Sequence, residues 1–228
     1  LGAFVATYPS NRTRLVVIAG AILAVVWFVT TIALWEVEDS LASAITVAVI
    51  SVATLGVGWY VAHLWNREVI LFERGFSYRQ GSNTAYIKYS DLTSVRQRAE
   101  RVAYFGGLIR RTVYNITIRT IYDEKILLNN LYRKMDELSV RIDVAAAKAI
   151  RPRAEQQLAE SGMVDFGESV RLRGEGIEVE GDLLHWDDYG GYRAKQGKLV
   201  FVNRDDDWRG VPLDAVDNIR LLLDFLKE

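Results

Sequence analysis

The sequence predicts a membrane-anchored α+β protein, in which a two-helix transmembrane hairpin is followed by two small antiparallel β modules. Two long apolar runs predict the hairpin, and a phrase that occurs twice predicts the two modules. In each module, alternating strands give way to helical spacing, so each is expected to be closed by a C-terminal helix. The predicted ranges are 1–66 for the hairpin, 67–151 for the first module, 152–162 for a helical linker and 163–228 for the second, shorter module.

The two apolar runs are long enough to cross a bilayer. Residues 15–35 carry no charge, and residues 41–65 contain His63 but no Asp, Glu, Lys or Arg. About 20 helical residues span a hydrocarbon core of roughly 30 Å. Because the linker at 36–40 is short, the helices are expected to be antiparallel neighbours. A hairpin buried in a soluble core is the alternative interpretation.

The charges that flank the hairpin predict its orientation. Arg12 and Arg14 precede the first span and Arg67 follows the second, whereas the connecting linker is acidic. By the positive-inside rule, the chain is an integral membrane protein with two spans, and both termini are cytoplasmic.

Small residues in both spans permit close helix contact. Either the two helices pack on each other through these residues, or the residues form a surface for a larger membrane assembly. They are Gly20, Ala24, Ala44, Ala48, Gly56 and Gly58.

The phrase that occurs twice consists of a Gly turn, an alternating strand, a second turn and a strand that ends in an aromatic residue and Asp. The first copy begins at Gly75 and ends at Tyr89-Ser90-Asp91, and the second begins at Gly176 and ends at Trp186-Asp187-Asp188. Helical spacing follows the first copy until Pro152, where we predict a break before a second short helix that ends at Gly162.

These stretches resemble a family of uncharacterised membrane-anchored proteins with tandem pleckstrin-homology-like (bacterial PH-like) modules. The resemblance implies small barrels that are each capped by one helix, and it implies no catalytic or ligand residues. It is carried by Leu71-Phe72-Glu73-Arg74-Gly75-Phe76, Tyr89-Ser90-Asp91-Leu92, Val164-Asp165-Phe166-Gly167, Leu184-His185-Trp186-Asp187-Asp188, Trp208 and Val216-Asp217-Asn218.

The charge is divided unevenly between the predicted modules. Residues 68–161 contain 16 Lys and Arg against 11 Asp and Glu, whereas residues 162–228 contain 9 against 15. Neighbouring modules of opposite charge are expected to face different surroundings or each other. A net charge of −1 and a pI of about 6.2 do not favour nucleic-acid binding.

An arginine-rich loop at 96–111 is the best candidate for a binding site. Arginine pairs well with phosphate, and each basic residue near an anionic leaflet contributes about 1 kcal/mol. The loop is expected either to bind anionic lipid or protein partners, or to be a solvated loop that keeps the chain soluble. Its candidate residues are Arg96, Arg98, Arg101, Tyr104, Phe105, Arg110 and Arg111.

No residue pattern predicts catalysis, a resident cofactor or a metal. The histidines His63 and His185 are not accompanied by a nucleophile or ligand motif, and Asp205-Asp206-Asp207 lacks the ligand spacing of an EF-hand. A lone His in a membrane helix can ligate haem, so His63 is a minor cofactor candidate. The absence of Cys excludes thiolate sites and disulfides.

The function expected from these patterns is that of a non-enzymatic scaffold or accessory subunit. Its cytoplasmic PH-like modules would bind protein partners at the membrane, and a membrane-protein partner or a homo-oligomer is expected. The alternative is a module that senses anionic lipid through the arginine-rich loop 96–111.

Overall fold

The computed structural model of the chain describes residues 1–36, 40–104, 109–204 and 206–227, which form two compact units. The hairpin unit comprises Gly2–Tyr86 and Leu131–Arg133. The three-sheet unit comprises Leu1, Ile87–Asn130 and Lys134–Glu228.

Two apolar helices dominate the hairpin unit, as the sequence predicts. Helix α1 spans Arg12–Glu36 and helix α2 spans Ser40–Trp65, and both are long and apolar enough to cross a membrane. Only 11% and 6% of the residues in their most apolar stretches are buried, whereas a core helix of a soluble protein is mostly buried. This exposure disfavours the alternative of a hairpin inside a soluble core.

A strand that the sequence analysis did not predict precedes these helices. This strand, β1, pairs antiparallel with β2 beyond the helices, with Phe4 opposite Phe72 and Pro9 opposite Glu68. Helices α1 and α2 are therefore inserted between two strands that are neighbours in one sheet. The strands of this sheet, in the order β1-β2-β3-β4, are β1 (Phe4–Pro9), β2 (Glu68–Phe72), β3 (Gly75–Gln80) and β4 (Asn83–Lys88).

The entry and the exit of the helical hairpin are fastened at Ser10, which is 1% exposed. Its backbone N–H donates to Arg67 O at 2.9 Å, and its hydroxyl donates to Trp65 O at 2.8 Å. One residue further on, the N–H of Asn11 donates to Leu131 O at 2.5 Å. These bonds hold the first turn of α1 and the end of α2 at the same edge of the sheet.

The three-sheet unit contains two helices and three antiparallel sheets. The first sheet, β5-β6-β7, consists of β5 (Leu92–Tyr104), β6 (Ile109–Thr120) and β7 (Lys125–Asn129), and is followed by helix α3 (Met135–Ser161). The second sheet, β11-β10-β9-β8, consists of β8 (Met163–Asp165), β9 (Val170–Arg173), β10 (Gly176–Val179) and β11 (Asp182–His185). The third sheet, β12-β13-β14, consists of β12 (Tyr189–Lys195), β13 (Lys198–Asn203) and β14 (Asp206–Pro212), and is followed by helix α4 (Ile219–Phe225).

Alternating apolar residues build the core of the three-sheet unit. Ile116 and Ile118 of β6 are almost fully buried, as the period of two in a half-buried strand requires. Helix α3 packs on β5 and β6, and its Leu138 and Ile142 are both 0% exposed. Burying a side chain of this size contributes roughly 1.5–3 kcal/mol, so this face anchors α3 to the sheet.

The predicted break at Pro152 is wrong, because α3 continues through it to Ser161. Proline removes one backbone donor from a helix, but tertiary packing can offset that loss. Here Pro152 itself is exposed, while Ile150 and Ala154 on either side are buried. The predicted stop is confirmed: Gly162 has φ +72°, and its N–H donates to Leu158 O at 2.9 Å.

The aromatic-Asp ends of the two copies of the phrase form turns rather than strand ends. Tyr89–Asp91 and Trp186–Asp188 each form one turn of 3-10 helix, and each lies between a four-stranded and a three-stranded sheet. Gly75 and Gly176, which were predicted to be turn residues, begin strands β3 and β10 instead. At Gly176 the backbone of Leu184 is so close that a Cβ would collide with its carbonyl oxygen. The glycine is therefore required by strand packing.

Candidate functional site

The site lies where strand β5 meets the segment that joins β14 to α4, within the three-sheet unit. We call this segment, Asp214–Asn218, the DAVDN segment. The Nε of Arg96 lies 2.7 Å from Oδ1 of Asp217, and the Nε of Arg98 lies 3.3 Å from Oδ2 of Asp214. The hydrogen bond from Arg96 to Asp217 raises the pKa of the arginine. Two of the seven candidate residues therefore contact carboxylates of the same chain.

Asn218 connects the DAVDN segment to the backbone of β5. Its N–H donates to Val95 O at 2.8 Å, and its side-chain oxygen accepts from Val95 N at 2.9 Å. Its side-chain NH₂ donates to Thr93 O at 3.1 Å. The residue is 9% exposed and has φ +50°, a left-handed conformation that Asn adopts more readily than most residues. Asn also supplies a donor and an acceptor on one short side chain, as this position requires.

A second contact within the three-sheet unit joins α3 to α4. Burial raises the pKa of Asp143 on α3 to about 6; Asp224 acts in the same direction, whereas Arg220 and Gln97 oppose it. The side chain of Gln97 on β5 also donates to Ser139 O on α3 at 3.3 Å. The contact therefore contains a carboxylate that becomes protonated at mildly acidic pH.

Aromatic contacts extend this second contact at the end of α4. The ring of Phe225 meets Phe166 edge-on at 6.2 Å between centroids. The guanidinium of Arg151 on α3 lies 5.6 Å from the centre of the same ring. Helix α4 is thereby held by apolar as well as charged neighbours.

Most of the predicted arginine-rich loop 96–111 lies in strands of the structure. Residues 96–104 and 109–111 are strand rather than loop, since they belong to β5 and β6 and pair across the hairpin. Outward-facing polar side chains such as Arg96 and Arg98 obscured the alternation in the sequence. The side chains of Arg101, Tyr104, Arg110 and Arg111, and the whole of Phe105, lie outside the described residues, so their role stays a prediction.

A comparison with protein families covers the complete chain. The model of a family of unknown function (DUF6585) matches residues 1–228. The chain belongs to DUF6585. The predicted membership of an uncharacterised family is thus confirmed, and the match includes the hairpin unit as well as the three-sheet unit. A search of curated proteins finds no match.

The minor cofactor candidate of this DUF6585 chain, His63, packs against an aromatic ring and a turn. Its ring stacks on Trp59 with 5.9 Å between centroids, and a Cβ at Gly81 would come within 3.0 Å of its imidazole. Across the described ranges, no group of three or more His, Asp or Glu is arranged to hold a metal ion. Asp207 pairs with Lys195 at 2.7 Å, and Asp205 lies outside the described residues.

The small residues of the DUF6585 helices do not mediate the contact between α1 and α2. All six predicted positions are exposed, and a Cβ at Gly20, Gly56 or Gly58 would meet nothing within 4 Å. Larger side chains such as Thr30 and Ile50 are buried instead. The interpretation that the small residues pack the two helices together is therefore wrong, and the interpretation as an assembly surface stays a prediction.

Sequence reasoning missed the residues on the acidic side of the candidate site. Asp217 and Asn218 were noted only as part of a family resemblance, and Asp214 and Asp143 were not noted at all. The available signal was the opposite net charge of residues 68–161 and 162–228. Opposite charge predicts that the basic and acidic regions can face each other, as Arg96 and Asp217 do.

Proposed function

We propose that this DUF6585 chain is a non-catalytic, membrane-anchored scaffold or accessory subunit whose β modules bind protein partners at the membrane. The observation that carries the proposal is the insertion of α1 and α2 between the paired strands β1 and β2. With the helices in a bilayer, the bonds of Ser10 would hold a β-sheet directly against the membrane surface. A rigid platform of this kind suits a partner that is itself a membrane protein.

The proposal includes two tandem PH-like modules. A four-stranded sheet, a 3-10 turn, a three-stranded sheet and a helix follow one another twice along the chain. Two isolated β-bridges support the correspondence: Ser10 pairs with Tyr132 shortly before α3, and Gly167 pairs with Val216 shortly before α4. In this correspondence the first module would begin at β1, and the helical hairpin would be an insertion into its first connection.

Charges at one end of the hairpin favour a cytoplasmic location for the modules and both termini. Arg12 at the start of α1 lies 5.2 Å from the ring centre of Trp65 at the end of α2. Basic residues collect at the cytoplasmic ends of membrane helices, whereas Trp is enriched at both interfaces. The β strands that follow α2 would therefore lie on the cytoplasmic side.

The outward face of the hairpin is where a membrane-protein partner or a second copy would bind. Gly20, Ala24, Ala44 and Ala48 are exposed, and small residues let a neighbouring helix approach closely. A Cβ at Gly56 would meet nothing within 4 Å among the described residues, so a larger side chain there should disturb mainly contacts with another molecule.

Purification in a gentle detergent from native membranes tests the proposal. We expect defined partner chains, or a homo-oligomer, to co-elute with the wild-type chain. Gly56→Ile should reduce that co-elution. Val47→Ile, at a position that is 52% exposed and lies nine residues before Gly56, on the opposite side of the helix, serves as the matched control and should not. A solitary monomer in all three preparations would contradict the scaffold function.

A further inference from the structure

Two arginines lie where the apolar helices meet the sheet of the hairpin unit. Arg12 is the first residue of α1, and Arg67 follows the end of α2 by two residues. The N–H of Arg12 donates to Ser10 O at 3.0 Å, and the N–H of Ser10 donates to Arg67 O at 2.9 Å. The start of α1 and the chain just beyond α2 are therefore fixed next to each other through one residue.

Neither arginine side chain has a hydrogen-bond or ion-pair partner among the residues that the structure describes. Arg12 is exposed, and its guanidinium lies over the ring of Trp65, 5.2 Å from the ring centre. Arg67 is half-buried, and its Nε is a buried donor without an acceptor. The nearby carboxylate of Glu68 accepts from the Thr7 hydroxyl at 2.9 Å instead. Because a buried donor without a partner is costly, these groups indicate an anion that comes from outside the chain.

The position of the two arginines identifies the anion. With α1 and α2 in a bilayer, the start of α1 and the chain just beyond α2 lie at the level of the phosphate groups of one leaflet. Trp65, which ends α2, is of the residue type that is enriched at this level. A guanidinium group matches phosphate through two parallel hydrogen bonds. A zwitterionic headgroup would bring its own cation next to two guanidinium groups, so an anionic headgroup is preferred.

We infer that Arg12 and Arg67 form a binding site for the phosphate of an anionic phospholipid at the end of the helical hairpin. The contact with the ring of Trp65 uses none of the hydrogen-bond donors of Arg12, so they remain available to the phosphate. The inference rests on the membrane anchoring in the proposed function and goes beyond it, because it assigns a lipid to a surface of the hairpin unit. The arginine-rich loop 96–111 belongs to the three-sheet unit and takes no part in this site.

Native mass spectrometry of the full-length chain tests the site. The chain is reconstituted in nanodiscs that contain equal amounts of phosphatidylglycerol and phosphatidylcholine, and the lipids that it retains on release are counted. We expect the wild type to retain one phosphatidylglycerol in preference to phosphatidylcholine. Arg12→Gln and Arg67→Gln should each reduce that retention about fivefold, the worth of one basic residue at an anionic surface. Arg74→Gln is the matched control and should not, since Arg74 is exposed just beyond the end of β2 that is farther from Arg67.

Charge-conserving variants distinguish a phosphate site from diffuse surface charge. Arg12→Lys and Arg67→Lys keep the positive charge but lose the planar fork of donors, so each should retain about threefold less phosphatidylglycerol than the wild type. Inorganic phosphate at millimolar concentration should leave the bound lipid in place. Slow amide exchange at Val69, which is 0% exposed in β2, reports that the sheet is intact in every variant.

Three results would overturn the inference. Equal retention of both lipids by the wild type would show that there is no preference for an anionic headgroup. Full retention by the Lys variants, or an equal loss in Arg74→Gln, would show diffuse surface charge. Displacement of the lipid by inorganic phosphate would show a site for free anions. Each of these would leave the scaffold function standing, whereas a chain that does not enter nanodiscs would contradict the membrane anchoring and the scaffold function with it.

Discussion

The connection between the first two strands differs greatly between the two halves of the chain. In the first half, β1 and β2 are separated by both apolar helices, whereas in the second half β8 and β9 are separated only by residues 166–169. Both connections are followed by antiparallel pairing of the flanking strands. Strand pairing and hydrogen bonds such as those of Ser10 therefore hold the sheet together. The connection between the first two strands can then contain additional elements, such as the two helices.

The entries to the two C-terminal helices differ in a second way. Lys134 before α3 and Asn218 before α4 both adopt left-handed conformations, with φ +51° and +50°. Lys134 is exposed, whereas Asn218 is buried and bonded to β5. The same left-handed turn therefore lies in solvent at the start of α3, whereas at the start of α4 it is hydrogen-bonded to β5.

Replacing the helical hairpin by a short turn should produce the largest effect. Substituting the four residues 166–169 for residues 11–66 removes nearly all the exposed apolar helix surface. We expect the variant to be soluble without detergent and to retain slow amide exchange in β1 and β2, since their pairing does not involve the helices. Aggregation with rapid exchange in both strands would show that the sheet depends on the inserted helices.

Gly176→Ala should have the next largest effect, because its Cβ would collide with the backbone of Leu184. We expect the free energy of unfolding to fall by about 1–3 kcal/mol, by the cost of overpacking. Gly174→Ala is the matched control, since a Cβ there meets nothing within 4 Å. Denaturant unfolding measures both, and equal stability of the two variants would contradict the close packing of β10 on β11.

Asn218→Gly compared with Lys134→Gly tests the difference between the two helix entries. Loss of the Asn218 amide removes one buried and one partly buried hydrogen bond and should cost about 1–3 kcal/mol. Lys134→Gly keeps the left-handed turn at an exposed position and should change stability by less than about 0.5 kcal/mol. Thermal unfolding at matched detergent concentration provides the measurement. A larger loss of stability for Lys134→Gly than for Asn218→Gly would contradict the conclusion that the Asn218 side chain holds the start of α4 to β5.

Asp143→Asn should have the smallest effect, and one that depends on pH. The folded-state pKa of Asp143 is raised to about 6 from the usual 3.8, so the folded chain holds the proton more tightly than the unfolded chain. The resulting stabilisation is fully present below about pH 3.8 and is lost as the pH rises through about 6. The variant should therefore be more stable than wild type at pH 7.5 and nearly equal to it at pH 4. A gain that is the same at both pH values would contradict this interpretation.

The sequence predicted the elements whose signals are local. The two apolar helices and the strand around Ile116 and Ile118 follow from length and from the period of the apolar residues. The stop at Gly162 follows from helix capping. These features depend on neighbours within one or two turns of the chain.

The missed features depend on distant partners. Strand β1 is defined by its pairing with β2 across both helices, and α3 passes Pro152 because Ile150 and Ala154 are buried. The contact of Asn218 with Val95 joins residues more than a hundred positions apart. No local pattern contains that information, so the candidate site could be predicted only as a set of arginines without its acidic partners.

Topology labelling with single cysteines addresses the anchored scaffold directly, since the chain has no native cysteine. Three variants carry Cys in place of Ala3 before the hairpin, Glu38 between the helices, or Gln196 between β12 and β13. In intact cells, a membrane-impermeant maleimide should label only the Glu38→Cys variant, and the other two should react after permeabilisation. Labelling of Gln196→Cys in intact cells, or of all three from one side, would contradict a two-span anchor with its β modules in the cytoplasm.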